Sequence, residues 1–145
     1  MSALKWPSEK YSPDVMLEFA REAADNAYAP YSKFHVGAAM LLKDGEIISA
    51  CNVENASYSL TICAERSAVA MMIAQRKNDP VVIAVAGSHE NSDDYFKIPC
   101  PPCGACLQTL AEFNENMLIV LASKGTAKIY ELKEFLPYAF TLETD

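Results

Sequence analysis

Apolar residues Met16, Phe19, Ala20, Ala23, Ala24 and Ala27 recur with helical spacing, which predicts a helix with one face buried. Ser12-Pro13-Asp14 stands just ahead of them. Ser suits the N-cap, Pro the first turn, and an acid the positive end of the helix dipole. Tyr28-Ala29-Pro30-Tyr31 ends the helix. Residues 35–42 are then apolar and small, Lys43-Asp44-Gly45-Glu46 is a hairpin signal, and 46–51 returns as the partner strand. Residues 52–62 are polar and without a period. A second helix follows over 63–76, with Ala64, Ala68, Met71 and Met72 on its buried side. Residues 81–86 are wholly apolar, the mark of a central strand. A long polar loop over 88–102 leads to a helix from Cys103 to Phe113, a strand over 117–122, a turn, and a last strand over 127–132. A short helix ends near Pro137. Nothing repeats and no linker divides the chain, so it reads as one domain over 1–145, a layered α/β fold around a mixed sheet.

Composition narrows the partners. The chain has 145 residues, enough for a real core, and its 51% hydrophobic and 21% charged content is that of an ordinary soluble protein. The net charge of -7, with no run of three basic residues, argues against nucleic acid as the main partner. Met1-Ser2-Ala3-Leu4-Lys5-Trp6-Pro7 lacks the apolar core of a signal peptide, and no apolar stretch reaches transmembrane length. A cytoplasmic protein is therefore expected, with no membrane partner. There thiols stay reduced and bind metal, which suits an odd total of five cysteines.

Two short segments carry the chemistry, Cys63-Ala64-Glu65 and Pro102-Cys103-Gly104-Ala105-Cys106. Cysteines three apart share a helical turn, so Cys103 and Cys106 can grip one ion, and Cys63 completes a tripod. Zinc prefers four ligands, so three thiolates leave a position open for water, as catalysis requires. Both segments fall at predicted helix starts, where free N–H groups and the dipole favour thiolate. Glu65 is near enough to handle that water's protons without coordinating; its plainer reading is an acid in a first turn. Residues two apart face away from each other on a regular helix, so either Cys63 lies just outside the helix or Glu65 bends round. Three thiolates leave the site negative, and Arg66 could offset this by donating to a ligand sulfur; the alternative is a surface residue. Cys100 offers a competing fourth thiolate that would close the site into an inert structural module, although Pro101-Pro102 stiffens the link. Cys51 reads as a small core residue, His35 and His89 as structural or surface, and Asp93 and Asp94 as a solvated loop.

With these motifs in this order, the chain resembles the small cytidine deaminases that hold zinc through three cysteines. The resemblance runs from the first helix to Phe140. It is carried by Pro30-Tyr31-Ser32-Lys33-Phe34-His35-Val36-Gly37-Ala38-Ala39, Asn52-Val53-Glu54-Asn55-Ala56-Ser57-Tyr58, Cys63-Ala64-Glu65-Arg66-Ser67-Ala68, the second cysteine segment, and Leu136-Pro137-Tyr138-Ala139-Phe140. It implies an α/β, three-layer domain with a five-stranded mixed sheet between helices. It also implies hydrolytic deamination of cytidine and deoxycytidine to uridine and deoxyuridine plus ammonia, in pyrimidine salvage. Zinc-bound hydroxide would attack C4 while Glu65 shuttles protons. Cys63, Cys103 and Cys106 would hold Zn²⁺, and the Ala64 backbone would contact the pyrimidine. Asn52 and Glu54 resemble the pair that hydrogen-bonds the sugar's 3′-hydroxyl, and Phe34 the aromatic that packs on the base. Phe140 resembles the residue lent to a neighbouring subunit's pocket, which implies a homotetramer.

Departures from the family pattern are Leu107 in place of an Arg, Pro101 in place of a Ser, Thr141 after Phe140 where Gly is common, and a longer stretch over 88–102. The rival readings are a deaminase of another cytosine nucleoside, such as a blasticidin S-like antibiotic, a polynucleotide deaminase, and a structural four-cysteine zinc module. An Asn-x-Glu suited to a plain ribose disfavours the first, and the acidic charge disfavours the second.

Overall fold

Ser12 starts the first helix as its spacing predicts, its Oγ accepting from the Val15 N–H at 3.1 Å. The computed structural model describes residues 4–143. Its elements are α1 (Pro13–Ala24), β1 (Phe34–Leu42), β2 (Ile47–Cys51), α2 (Ala64–Ala74), β3 (Pro80–His89), α3 (Gly104–Phe113), β4 (Leu118–Ser123), β5 (Thr126–Glu131) and α4 (Leu132–Phe135), with a 3-10 turn at Tyr58–Leu60. The strands form one five-stranded sheet in the order β2-β1-β3-β4-β5. Strand β1 runs antiparallel to both neighbours, β3 and β4 are parallel, and β5 returns antiparallel. The mixed sheet is the one expected. The parallel step from β3 to β4 needs a crossover, and α3 supplies it.

Side-chain alternation gives the sheet two apolar faces. One face, through Ala39, Leu41, Val82, Ala84 and Val120, packs on Met16, Leu17 and Ala20 of α1. The other, through Ala38, Met40, Ile83, Val85 and Ile119, packs on Ala68 and Met72 of α2 and Leu107 and Leu110 of α3. Each fully buried Met, Leu or Ile contributes about 1.5–3 kcal/mol. Three layers result. Gly37 allows the closest approach between them: a Cβ there would stand 1.8 Å from the Ala20 carbonyl oxygen and 2.5 Å from the Ala24 nitrogen.

The structure moves several predicted boundaries. Helix α1 stops at Ala24, not Ala27, because Tyr28 leaves to pair with 52–54: its N–H donates to Asn52 O and its carbonyl accepts from Glu54 N. The 52–62 segment is therefore paired backbone, with bridges Tyr28 to Val53 and Val53 to Ile62. Strand β3 runs past Ala86 to His89, because β1 offers ladder partners as far as Phe34. Met71 lies on the exposed side of α2. The 88–102 segment is not a wholly solvated loop. Tyr95 is buried in the α1 layer, and the Arg21 guanidinium sits 3.9 Å from its ring centre. Among the described residues no helix is long and apolar enough to cross a membrane.

Candidate active site

Helices α2 and α3 pack side by side on one face of the sheet, and their first turns bring three sulfurs together. Cys63 and Cys103 are both N-cap residues with extended backbone (φ -71°, ψ 154° and φ -71°, ψ 170°). Cys63 therefore lies just outside the helix proper, which leaves Glu65 free to turn toward the same space. The Sγ atoms of Cys63, Cys103 and Cys106 all lie within 4.8 Å of one another, and those of Cys103 and Cys106 are 3.5 Å apart. A tetrahedral zinc with Zn–S of about 2.3 Å sets its sulfurs about 3.8 Å apart, so the cluster fits that ion with little adjustment. Cys100 is not one of the three. Burial pushes its thiol up to about 12, with the charges of Glu65 and Cys63 adding to the effect.

Electrostatics favour thiolate at Cys63. The Cys63 thiol is lowered to about 5, first by a hydrogen bond from the Cys106 thiol and then by those of Arg66 and Cys103. Cys106, wholly buried, is shifted upward as the donor in that pair. Arg66 lies against Cys63, and that contact is the main cause of its own raised pKa. Its side chain also donates to Thr61 O at 3.1 Å, while its buried Nε has no hydrogen-bond partner. A cation with an unspent donor beside a cysteine sulfur suits a thiolate cluster that carries excess negative charge. Arg66 is half-buried at the cluster, not a surface residue of the helix.

Glu65 is 5% exposed, and Ala64 beside it is wholly buried. Burial raises the Glu65 pKa, the charge of Cys63 raises it further, and a hydrogen bond from Cys106 together with Arg66 opposes the rise. A carboxyl that feels all of these groups faces the sulfur cluster.

Phe34 begins β1 at the carboxyl end of β3, paired with His89, and its ring meets the His89 ring edge-on at 4.9 Å. Gly87 lies on the same strand face two residues away, with Cys100 packed against it. Asn52 is buried, and its side chain behaves as a strand neighbour to β1: Oδ1 accepts from Val36 N at 3.0 Å and Nδ2 donates to Phe34 O at 2.9 Å. Glu54, also buried, accepts from the Tyr31 and Ser32 N–H groups at 3.0 and 3.1 Å. Hydrogen bonding by Ser32 holds its carboxylate below the usual range. The structure thus ties both residues to the segment that carries Phe34. The Phe140 side chain is 68% exposed, on a tail whose backbone is held by Gln108 of α3. Leu107 is a buried core residue, so this position gives no charge to the site.

Sequence reasoning missed Gly87, Gln108 and the orientation of Cys100. Only the end of an apolar run at Ala86 hinted at the first.

A family described as the cytidine and deoxycytidylate deaminase zinc-binding region matches residues 11–122. A cytidine deaminase of Halalkalibacterium halodurans is 41% identical over 131 residues, covering 89% of this chain and 94% of that protein. The solved structure of a cytidine deaminase from Burkholderia pseudomallei superposes with a TM-score of 0.76 at 39% identity, covering 86% of this chain and 96% of the other. A blasticidin-S deaminase of Bacillus cereus is more distant, at 28% over 127 residues, 87% of this chain and 90% of its own length. Matched over residues 11–122 by the family and over most of its length by these relatives, the chain belongs to the zinc-binding cytidine and deoxycytidylate deaminase family.

Proposed function

We propose that the protein hydrolyses cytidine and deoxycytidine to uridine and deoxyuridine with release of ammonia, returning the base to pyrimidine salvage. One observation carries the reading: a buried carboxyl, Glu65, stands beside three convergent thiols, a donor set one short of the four that zinc prefers. Cys63, Cys103 and Cys106 would hold the ion. When bound, zinc supplies a Lewis acid that lowers the pKa of water from ~15.7 towards ~7, less so with three thiolates.

The remaining work falls to the chain. Glu65 takes a proton from the attacking water and delivers it to N3 of the ring, then helps the amino group at C4 leave as ammonia. Arg66 offsets the charge of the thiolates. The Ala64 backbone contacts the pyrimidine and the Phe34 ring packs on it. Asn52 and Glu54 read the 3′-hydroxyl of the sugar, and their bonds to 31–36 build the sugar and base walls as one unit.

We further assign a homotetramer in the cytoplasm. Support comes from five cysteines with no disulfide among them and from exposed apolar side chains, including Val53, Tyr58, Leu60 and Ile62 in the segment before α2 and Met71 on α2. Tyr138 and Phe140 are exposed on the tail as well.

Rates on cytidine, deoxycytidine, 2′,3′-dideoxycytidine and free cytosine, followed by loss of absorbance, test the assignment. The first two should be used alike and the last two poorly, because a pocket built to pair a hydroxyl suffers when its polar groups stay unpaired. Equal efficiency on cytosine and cytidine would show that the sugar is not read.

A further inference from the structure

Gly87 lies in a strand, and its φ falls outside the left-handed region, so its backbone does not require glycine. Space does. A Cβ at Gly87 would lie 2.8 Å from Cys100 Sγ, 3.0 Å from Phe34 Cζ and 3.1 Å from Phe34 Cε1. Both side chains thus fill the volume that any other residue would occupy. Ring and sulfur meet over bare backbone, a recognised use of glycine within strands. The same ring is braced on another side by His89, and Cys100 feels the charges of Glu65 and Cys63. Cys100 stands three residues ahead of Cys103 and packs on the core that holds Ala64 and Leu107, so this arrangement borders the sulfur cluster.

We propose that Gly87 is a positioning residue: by lacking a side chain it lets Phe34 settle back against Cys100, which sets the room left for the cytosine ring. The inference rests on the assignment of Phe34 to the base-binding wall. The displaced atoms at Gly87 are side-chain tips, not backbone, so an added methyl group tips the ring toward the ligand space without unfolding the sheet. Removing the Cys100 sulfur gives the ring somewhere else to yield.

The test compares wild type, Gly87→Ala, Cys100→Ala and the double substitution. Gly87→Ala should lower kcat/KM for cytidine about tenfold, mainly through KM, because ångström-scale misplacement of binding groups is costly. Zinc content should not change. Measured against Cys100→Ala as its own reference, the double variant should show little of the loss that Gly87→Ala causes in the wild-type background. NMR of fluorophenylalanine-labelled protein, with the Phe34 signal assigned by its loss in Phe34→Leu, reads the ring without substrate. That signal should move in Gly87→Ala and move back in the double variant. An unmoved Phe34 signal overturns the positioning role whatever the activity. So does a loss of activity that is as large in the Cys100→Ala background. A wild type inactive on cytidine but active on another cytosine compound would instead overturn the substrate assignment, with the ring signal and KM for that compound still deciding the role of Gly87.

Discussion

The side-chain amide of Gln108 grips the backbone of Phe140 twice: its Nε2 donates to the Phe140 carbonyl at 2.8 Å, and the Phe140 N–H donates to its Oε1 at 3.0 Å. Gln108 sits two residues beyond the last clustered cysteine, so the helix that carries Cys106 also anchors the tail. Gln108→Ala should speed amide hydrogen exchange across 138–142. Gln108→Glu, which loses the donor but keeps the acceptor, should do so less. If Phe140 completes a neighbour's pocket, both Gln108→Ala and Phe140→Ala should reduce kcat/KM, by about tenfold for the latter. Full activity of Phe140→Ala would remove that role.

Assembly can be measured directly. The protein should elute near four times the 15.9 kDa chain mass. A fully active monomer would contradict the homotetramer.

Zinc should bind at about one per chain, with three sulfurs and one oxygen or nitrogen in its shell by X-ray absorption. Cys103→Ser should lose metal and activity together, whereas Cys100→Ser should retain both, since Cys100 stands outside the cluster. A four-sulfur shell would reject the open site.

Glu65→Gln should keep zinc and fold while losing at least ~10²–10⁴-fold in kcat, the usual worth of general acid–base catalysis. The amide matches the carboxylate in size, so packing around this buried position is preserved. Turnover within about tenfold of wild type would reject the proton-shuttle role.

Gly37→Ala should be among the most damaging substitutions in the sheet. Its methyl group would collide with backbone atoms of α1 at Ala20 and Ala24, and backbone cannot swing aside as a side-chain tip can. A destabilisation of roughly 3 kcal/mol or more is expected in urea unfolding, at the top of the range for overpacked cores. Gly87→Ala, which meets only side-chain tips, should cost much less.

Periodicity and local chemistry carried most of this protein. Helices, strands and the β1–β2 hairpin follow from short-range spacing, since burial of one face imposes a period of 3.6 or 2 on the chain. The clustering of Cys63, Cys103 and Cys106 was legible because zinc requires particular donor types at helix-turn spacing, and helix starts favour thiolates. What depends on residues far apart in sequence was not legible. Whether Cys63 was helical, whether Cys100 joined the cluster, and whether Arg66 faced it were open until α2 and α3 packed together. The extra residues of β3 exist because β1 offers a ladder partner, and α1 is cut short because Tyr28 finds one in 52–54. Asn52 and Glu54 could be read as a motif, but their bonds to the start of β1 arise only when the strands meet. Gly87 shows the limit most clearly: its meaning is a volume shared by Phe34 and Cys100, and no local pattern encodes a space that three distant segments create together.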